Sequence, residues 1–145
     1  MIVSSSIFRE YDIRGTYPEQ LNEETIQIIA RAISVKCHKE GITTLAVGRD
    51  GRLSGESLLN AFCDGLIDKG INVNNVGLVT SPLLYFAAKK QNSKSGIMIT
   101  GSHNPKNYNG IKMVINDQPV AGTEILSLIK DVDSENISAK GIIEY

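Results

Sequence analysis

Thr100-Gly101-Ser102-His103-Asn104-Pro105, continued by Tyr108-Asn109-Gly110-Ile111-Lys112, is the stretch richest in chemistry. It gathers a hydroxyl, an imidazole and the ammonium groups of Lys106 and Lys112. Gly101 lets backbone amides come close to an anion. Gly, Ser, Asn and Pro are also ordinary turn formers, so the same residues describe a polar loop without chemistry. Ser102 and His103 are neighbours, which face opposite ways where the backbone is extended, so His103 is an awkward direct base for Ser102. The spacing is not the Gly-x-Ser-x-Gly of an acyl-transfer nucleophile. It also lacks the Gly-Lys-Ser/Thr ending of a triphosphate-binding loop.

Two further stretches carry charge in suggestive places. Phe8-Arg9-Glu10-Tyr11-Asp12-Ile13-Arg14-Gly15 reads, by itself, as a solvated N-terminal edge strand. Gly48-Arg49-Asp50-Gly51-Arg52-Leu53-Ser54-Gly55 sets three glycines among two arginines ahead of a helix start. Arginine there suits bidentate phosphate binding, and the helix end adds a positive field. A tight turn with an ion pair between Asp50 and a neighbouring arginine accounts for it equally well.

The elements that must hold these stretches follow from periodicity. Ile26, Ile29, Ala30, Ile33 and Cys37 recur at helical spacing, which predicts a helix over about 23–39 with Asn22 as N-cap. Thr43 to Val47 reads as a buried strand. Ser54 opens a second helix with Leu58, Leu59, Phe62, Cys63, Leu66 and Ile67 on one face and Gly70 as its stop. A strand over 71–79 follows, then a helix from an N-cap at Ser81 through Lys90. Gly96 to Ile99 and Ile111 to Ile115 are strands without a helix between them, so that pair is expected to be antiparallel. Asn116-Asp117-Gln118-Pro119 reads as a turn and about 123–132 as a last helix. Strands alternating with crossover helices predict an α/β/α three-layer sandwich on a mostly parallel, mixed sheet. Ligands bind such sheets at the carboxyl ends of strands, which singles out loops 48–53, 79–82 and 100–110.

Composition bounds the rest. At 145 residues, 41% apolar and 21% charged, the chain suits one globular domain. The division expected is a domain over 1–133 and a linker over 134–145 toward domains not included here. Fifteen basic against sixteen acidic residues give a net charge of −1, which argues against nucleic-acid binding driven by bulk charge. No apolar run has the length of a membrane span. The N-terminus lacks the features of a signal peptide, so a cytoplasmic location is expected. Cys37 and Cys63 fall on buried helix faces as free thiols, and no Cys/His spacing suggests zinc. Asn136-Ile137-Ser138 matches a glycosylation acceptor that has no meaning without secretion.

Taken in order, the Tyr-Asp-Ile-Arg-Gly start, the Gly-Arg-Asp-Gly-Arg turn and Thr-Gly-Ser-His-Asn-Pro with Asn-Gly-x-Lys resemble the N-terminal domain of the α-D-phosphohexomutases. The resemblance runs from about Ile7 to Val132. The Thr-Gly form of the serine loop is closest to the phosphomannomutase/phosphoglucomutase group. It implies that Ser102 carries a phosphoryl group and donates it to a hexose 1- or 6-phosphate, giving a bisphosphorylated sugar that returns its other phosphoryl group. Arg14 and Lys112 then have electrostatic roles beside the phosphoserine, with Lys112 and His103 as acid/base candidates. Tyr11, Arg14, Asn104 and Lys112 are the substrate-binding candidates. The roles of Arg49 and Arg52 are left open.

The same resemblance implies Mg²⁺ and a hexose 1,6-bisphosphate activator, with the metal touched here only through the hydroxyl or phosphate of Ser102. The family's Asp-x-Asp-x-Asp metal loop and its sugar-selecting domain do not occur in this sequence. Asp131-Val132-Asp133-Ser134-Glu135 fails the calcium-loop pattern and reads as solvated. The expected partners are a glucose or mannose phosphate and the remaining domains of a longer chain. Alone, this chain is expected to fold and not to isomerise sugars. The alternatives are a binding module that holds sugar phosphates without chemistry and a purely structural α/β domain.

Overall fold

Leu45 and Val47 belong to one apolar cluster and Ala46, between them, to another. That period-two alternation is what a strand with both faces covered requires. The computed structural model describes residues 3–10, 12–89, 94–101, 104–129 and 143–144. Its strands are β1 (Ile13–Thr16), β2 (Thr44–Arg49), β3 (Asn72–Leu78), β4 (Gly96–Ile99), β5 (Tyr108–Ile115), β6 (Gln118–Pro119) and β7 (Ile143–Glu144). Its α-helices are α1 (Glu23–Lys39), α2 (Gly55–Asp68), α3 (Ser81–Lys89) and α4 (Gly122–Leu128). Among the described residues they form one sheet in the order β1-β5-β4-β2-β3-β7, with β6 beside β5.

The sheet is mixed, as the sequence predicts. β4, β2, β3 and β7 are parallel, while β5 runs antiparallel to both β4 and β1. Helices α1 and α2 pack on each other, and α4 packs on α1. They bury Leu45, Val47, Ile97, Ile99, Ile111 and Met113 in the larger core. On the other face α3 covers β2 and β4 through Leu84 and Ala88 against Ala46 and Met98. This is the three-layer α/β/α arrangement.

Local signals account for the element ends. Asn22 accepts from the Thr25 amide at 3.0 Å while the Thr25 hydroxyl accepts from the Asn22 amide at 2.8 Å, closing a reciprocal cap. Gly70, at φ +85°, ends α2 in the left-handed conformation expected of its stop. Helix α3 is capped by Thr80 rather than by Ser81. The Thr80 hydroxyl accepts from the Leu83 amide, and Ser81 is the first helical residue.

Other differences concern the sheet edges. β5 begins at Tyr108, three residues before the predicted start, because Tyr108-Asn109-Gly110 pair with β1. The predicted turn over 116–119 is only Asn116-Asp117, both at positive φ, and Gln118-Pro119 folds back onto β5. Where a linker is predicted, Ile143-Glu144 pairs with Val73-Asn74 of β3, and Ile143 packs against the larger core. The acidic run 131–135 lies outside the described residues.

Cys37 and Cys63 are free and buried in the α1–α2 layer. Burial pushes both thiols up to about 12. Only the thiolate reacts with disulfide reagents, so labelling of the folded chain at neutral pH is expected to be about a thousandfold slower than for free cysteine. Both thiols should become reactive together on denaturation. Rapid labelling of either one in the folded chain would contradict the α1–α2 packing.

Candidate functional site

Register places the cationic residues. Ile13 pairs with Ile111 and both enter the larger core, so Arg14 and its partner Gly110 face the other side of the sheet. Lys112, two residues beyond Gly110, faces that side too. Helix α3 covers β2 and β4, and beyond it the same side opens over β1 and β5. An open cleft of about 470 Å³ lies there, lined by Arg9, Glu10, Asp12, Arg14 and Lys112 among others. Sequence positions nearly a hundred residues apart thus meet through one antiparallel strand pair.

Within this cleft Arg14 is held at two points. Its Nη2 donates to Asp12 Oδ2 at 2.5 Å, and Asp12 is buried. Its Nη1 donates to Asn104 Oδ1 at 3.4 Å. Lys112 is half-buried, and among the described residues no carboxylate pairs with it. Arg14 and Lys112 line the same cleft, an arrangement whose chemistry suits an anion, since burial of a charge is stabilised by an opposite one.

The serine loop starts where β4 ends and is anchored at both ends. Asn104 donates to the Gly101 carbonyl from its backbone amide at 3.1 Å and from Nδ2 at 2.9 Å. The Asp50 carboxylate, from the loop after β2, accepts from the Thr100 hydroxyl at 2.7 Å and the Gly101 amide at 3.1 Å. Arg52 donates to the carbonyl oxygens of Asn104 at 2.7 Å, Pro105 at 2.5 Å and Tyr108 at 3.2 Å. Its guanidinium lies against Gly101 so closely that a Cβ there would fall 2.0 Å from Nε and 2.1 Å from Cζ. Behind the loop, fully buried Asn109 donates to the Ser54 hydroxyl at 2.8 Å, tying β5 to the start of α2.

Of the predicted site residues, Arg14, Lys112 and Asn104 are brought to this end of the sheet. Ser102, His103 and Tyr11 lie outside the described residues. Among the described residues, no three His, Cys, Asp or Glu side chains converge to hold a metal ion. Arg49 is directed to Glu56, at 4.0 Å, and to the Asp50 carbonyl. The ion pair anticipated between Asp50 and an arginine is present, Arg52 Nε standing 3.8 Å from Asp50 Oδ2. The bonds of both residues to the serine loop were not anticipated. The available signal was that loops 48–53 and 100–110 end adjacent parallel strands.

Residues 5–137 match the family profile described as phosphoglucomutase/phosphomannomutase, alpha/beta/alpha domain I. The chain belongs to the phosphoglucomutase/phosphomannomutase family. A phosphoglucomutase of Neisseria meningitidis is 45% identical over 96% of this chain and 30% of its own length. A phosphomannomutase/phosphoglucomutase of Pseudomonas putida is 46% identical over the same shares. A phosphoglucomutase/phosphomannomutase family protein of Burkholderia thailandensis superposes with a TM-score of 0.88 at 38% identity, over 98% of this chain and 33% of its own. This domain I therefore spans about a third of the length of the relatives it matches. Among its described residues no helix is long and apolar enough to cross a membrane.

Proposed function

We propose that this domain I carries the phosphoryl-bearing serine of a cytoplasmic phosphomannomutase/phosphoglucomutase that interconverts hexose 1- and 6-phosphates. The observation that supports this most directly is the convergence of Arg14, Lys112 and Asn104 beside the anchored ends of the segment holding Ser102. Phosphoserine carries close to two negative charges at neutral pH. Phosphoryl transfer is accelerated mainly by positioning and charge neutralisation, which a fixed guanidinium and a half-buried ammonium provide.

In the reaction proposed, the unphosphorylated hydroxyl of a glucose or mannose phosphate attacks the phosphorus on Ser102. A bond forms from that hydroxyl oxygen to phosphorus, and the bond to Ser102 Oγ breaks. The hydroxyl proton passes to one of the two acid/base candidates, His103 or Lys112. The bisphosphorylated sugar then turns over, and its other phosphoryl group returns to Ser102 Oγ. Tyr11 and Asn104 contact the sugar phosphate. Mg²⁺ would neutralise phosphate charge when bound. By the family resemblance, its main ligands would belong to further domains of a longer chain. Hexose 1,6-bisphosphate would prime the serine, and this domain alone would not complete the cycle.

The test is the phosphorylation state of Ser102 in the full-length enzyme. After treatment with glucose 1,6-bisphosphate, peptide mass spectrometry is expected to find phosphate on Ser102. A stoichiometric amount of hexose monophosphate should then remove it and yield bisphosphate. Sugar-phosphate binding with Ser102 never phosphorylated would instead support a binding module.

A further inference from the structure

We infer that Asp50 and Arg52 are positioning residues for phosphoryl transfer, one holding each flank of the segment that contains Ser102. The inference rests on the reading of Ser102 as the phosphoryl carrier. Arginines ahead of a helix start invite assignment to a substrate phosphate, and here the geometry directs Arg52 elsewhere. Its Nη1 and Nη2 are engaged by three backbone carbonyls, those of Asn104, Pro105 and Tyr108. Asp50 takes the other flank, at the Thr100 hydroxyl and the Gly101 amide.

Both residues come from one short loop, and that loop is itself fixed. The Asp50 amide donates to the Ile99 carbonyl of β4 at 3.0 Å, and the Arg52 amide donates to Asp50 Oδ1 at 3.2 Å. The two flanks of the serine segment are thus referred to the same rigid strand end. Gly101 completes the fit, since any side chain there would occupy the place of the Arg52 guanidinium. A planar fork meeting several carbonyls sets direction as well as distance, which a lysine ammonium does not.

A displacement of about 1 Å at a reacting group is enough to cost roughly a hundredfold in rate. In the full-length enzyme, Arg52→Ala is therefore expected to lower kcat about a hundredfold while KM for the hexose phosphate stays within about twofold. Arg52→Lys keeps the charge and loses the fork, so its kcat should fall nearly as far. Gly101→Ala displaces the same guanidinium, so adding it to Arg52→Ala should cost less than about twofold more.

A wild-type kcat in Arg52→Lys would overturn the inference, because charge alone would then suffice. A rise in KM matching the fall in kcat would also overturn it, by making Arg52 a substrate ligand. Additive losses for Gly101 and Arg52 would do the same. A measurement independent of turnover covers variants that fold poorly as enzymes. In the 145-residue chain, Asp50→Ala should speed amide exchange at Gly101 and leave Ile97 unchanged, and unaltered Gly101 exchange would refute the Asp50 contact. Activity surviving Ser102→Ala would remove the phosphoserine reading itself, whereas the Arg52 and Gly101 results bear only on positioning.

Discussion

Replacing Ser102 with alanine in the full-length enzyme is expected to lower hexose phosphate interconversion by roughly 10³- to 10⁶-fold, the range seen when a covalent nucleophile is removed. Alanine has no oxygen to carry the phosphoryl group between the two half-reactions. Without that carrier, both halves of the cycle stop, so no rate-limiting step can mask the loss. Binding of hexose phosphate should survive, because Arg14 and Lys112 have anchors of their own. Arg14 is held by Asp12 and Asn104, and Lys112 by its place in β5. The measurement is the 1-phosphate to 6-phosphate rate, paired with a ligand-induced shift in thermal midpoint. Turnover within tenfold of wild type would exclude Ser102 from the reaction.

The second large effect is on stability. A Cβ on Gly110 would sit 2.2 Å from the Ile13 carbonyl oxygen and 3.2 Å from that of Thr100. Both are backbone oxygens, of Ile13 in β1 and of Thr100 just past the end of β4, so no side-chain rotation relieves the overlap. Gly110→Ala must push β1 away from β5, at a cost of about 3 kcal/mol or more. For a domain of this size that lowers the thermal midpoint by roughly 10 °C. The same displacement moves Arg14, the cross-strand partner of Gly110, away from Lys112. Gly51→Ala is the control, since a Cβ there meets nothing nearer than 4.0 Å. It should change stability by less than about 0.5 kcal/mol. Equal midpoints for the two variants would show that β1 is not paired as described.

How far the sequence could be read depended on whether a residue acts through its type or through its partners. The helical spacing of Ile26, Ile29 and Ile33 and the cap at Asn22 are local, and α1 follows them closely. Arg14 and Lys112 could be placed beside a phosphoserine only through the family motifs they match, since the Arg14 stretch by itself reads as a solvated edge strand. Arg52 could not be read in this way. Its partners are backbone carbonyls, which every residue has, and no pattern of side chains marks them. Tyr108-Asn109-Gly110 was hidden for a related reason. Asn and Gly are turn formers, and only burial of Asn109 and close approach at Gly110 make them strand residues. Thr80 and Ser81 are adjacent capping types, and the choice between them lies in backbone angles that composition does not encode. The loop motif at 100–105 was legible as chemistry, while the conformation of Ser102 and His103 is outside the described residues.

The pairing of β1 with β5 also sets the order of events at the ribosome. Ile13 emerges early, and its partner Ile111 follows only after most of the chain. At ~5–20 residues per second, β1 waits on the order of ten seconds for the strand that completes it. Meanwhile α1, β2, α2 and β3 are contiguous in sequence and can pack on one another. The cleft over β1 and β5 therefore assembles only after α1, β2, α2 and β3 have had time to pack, and a nascent chain stalled before Tyr108 would hold the α1–α2 layer with no site.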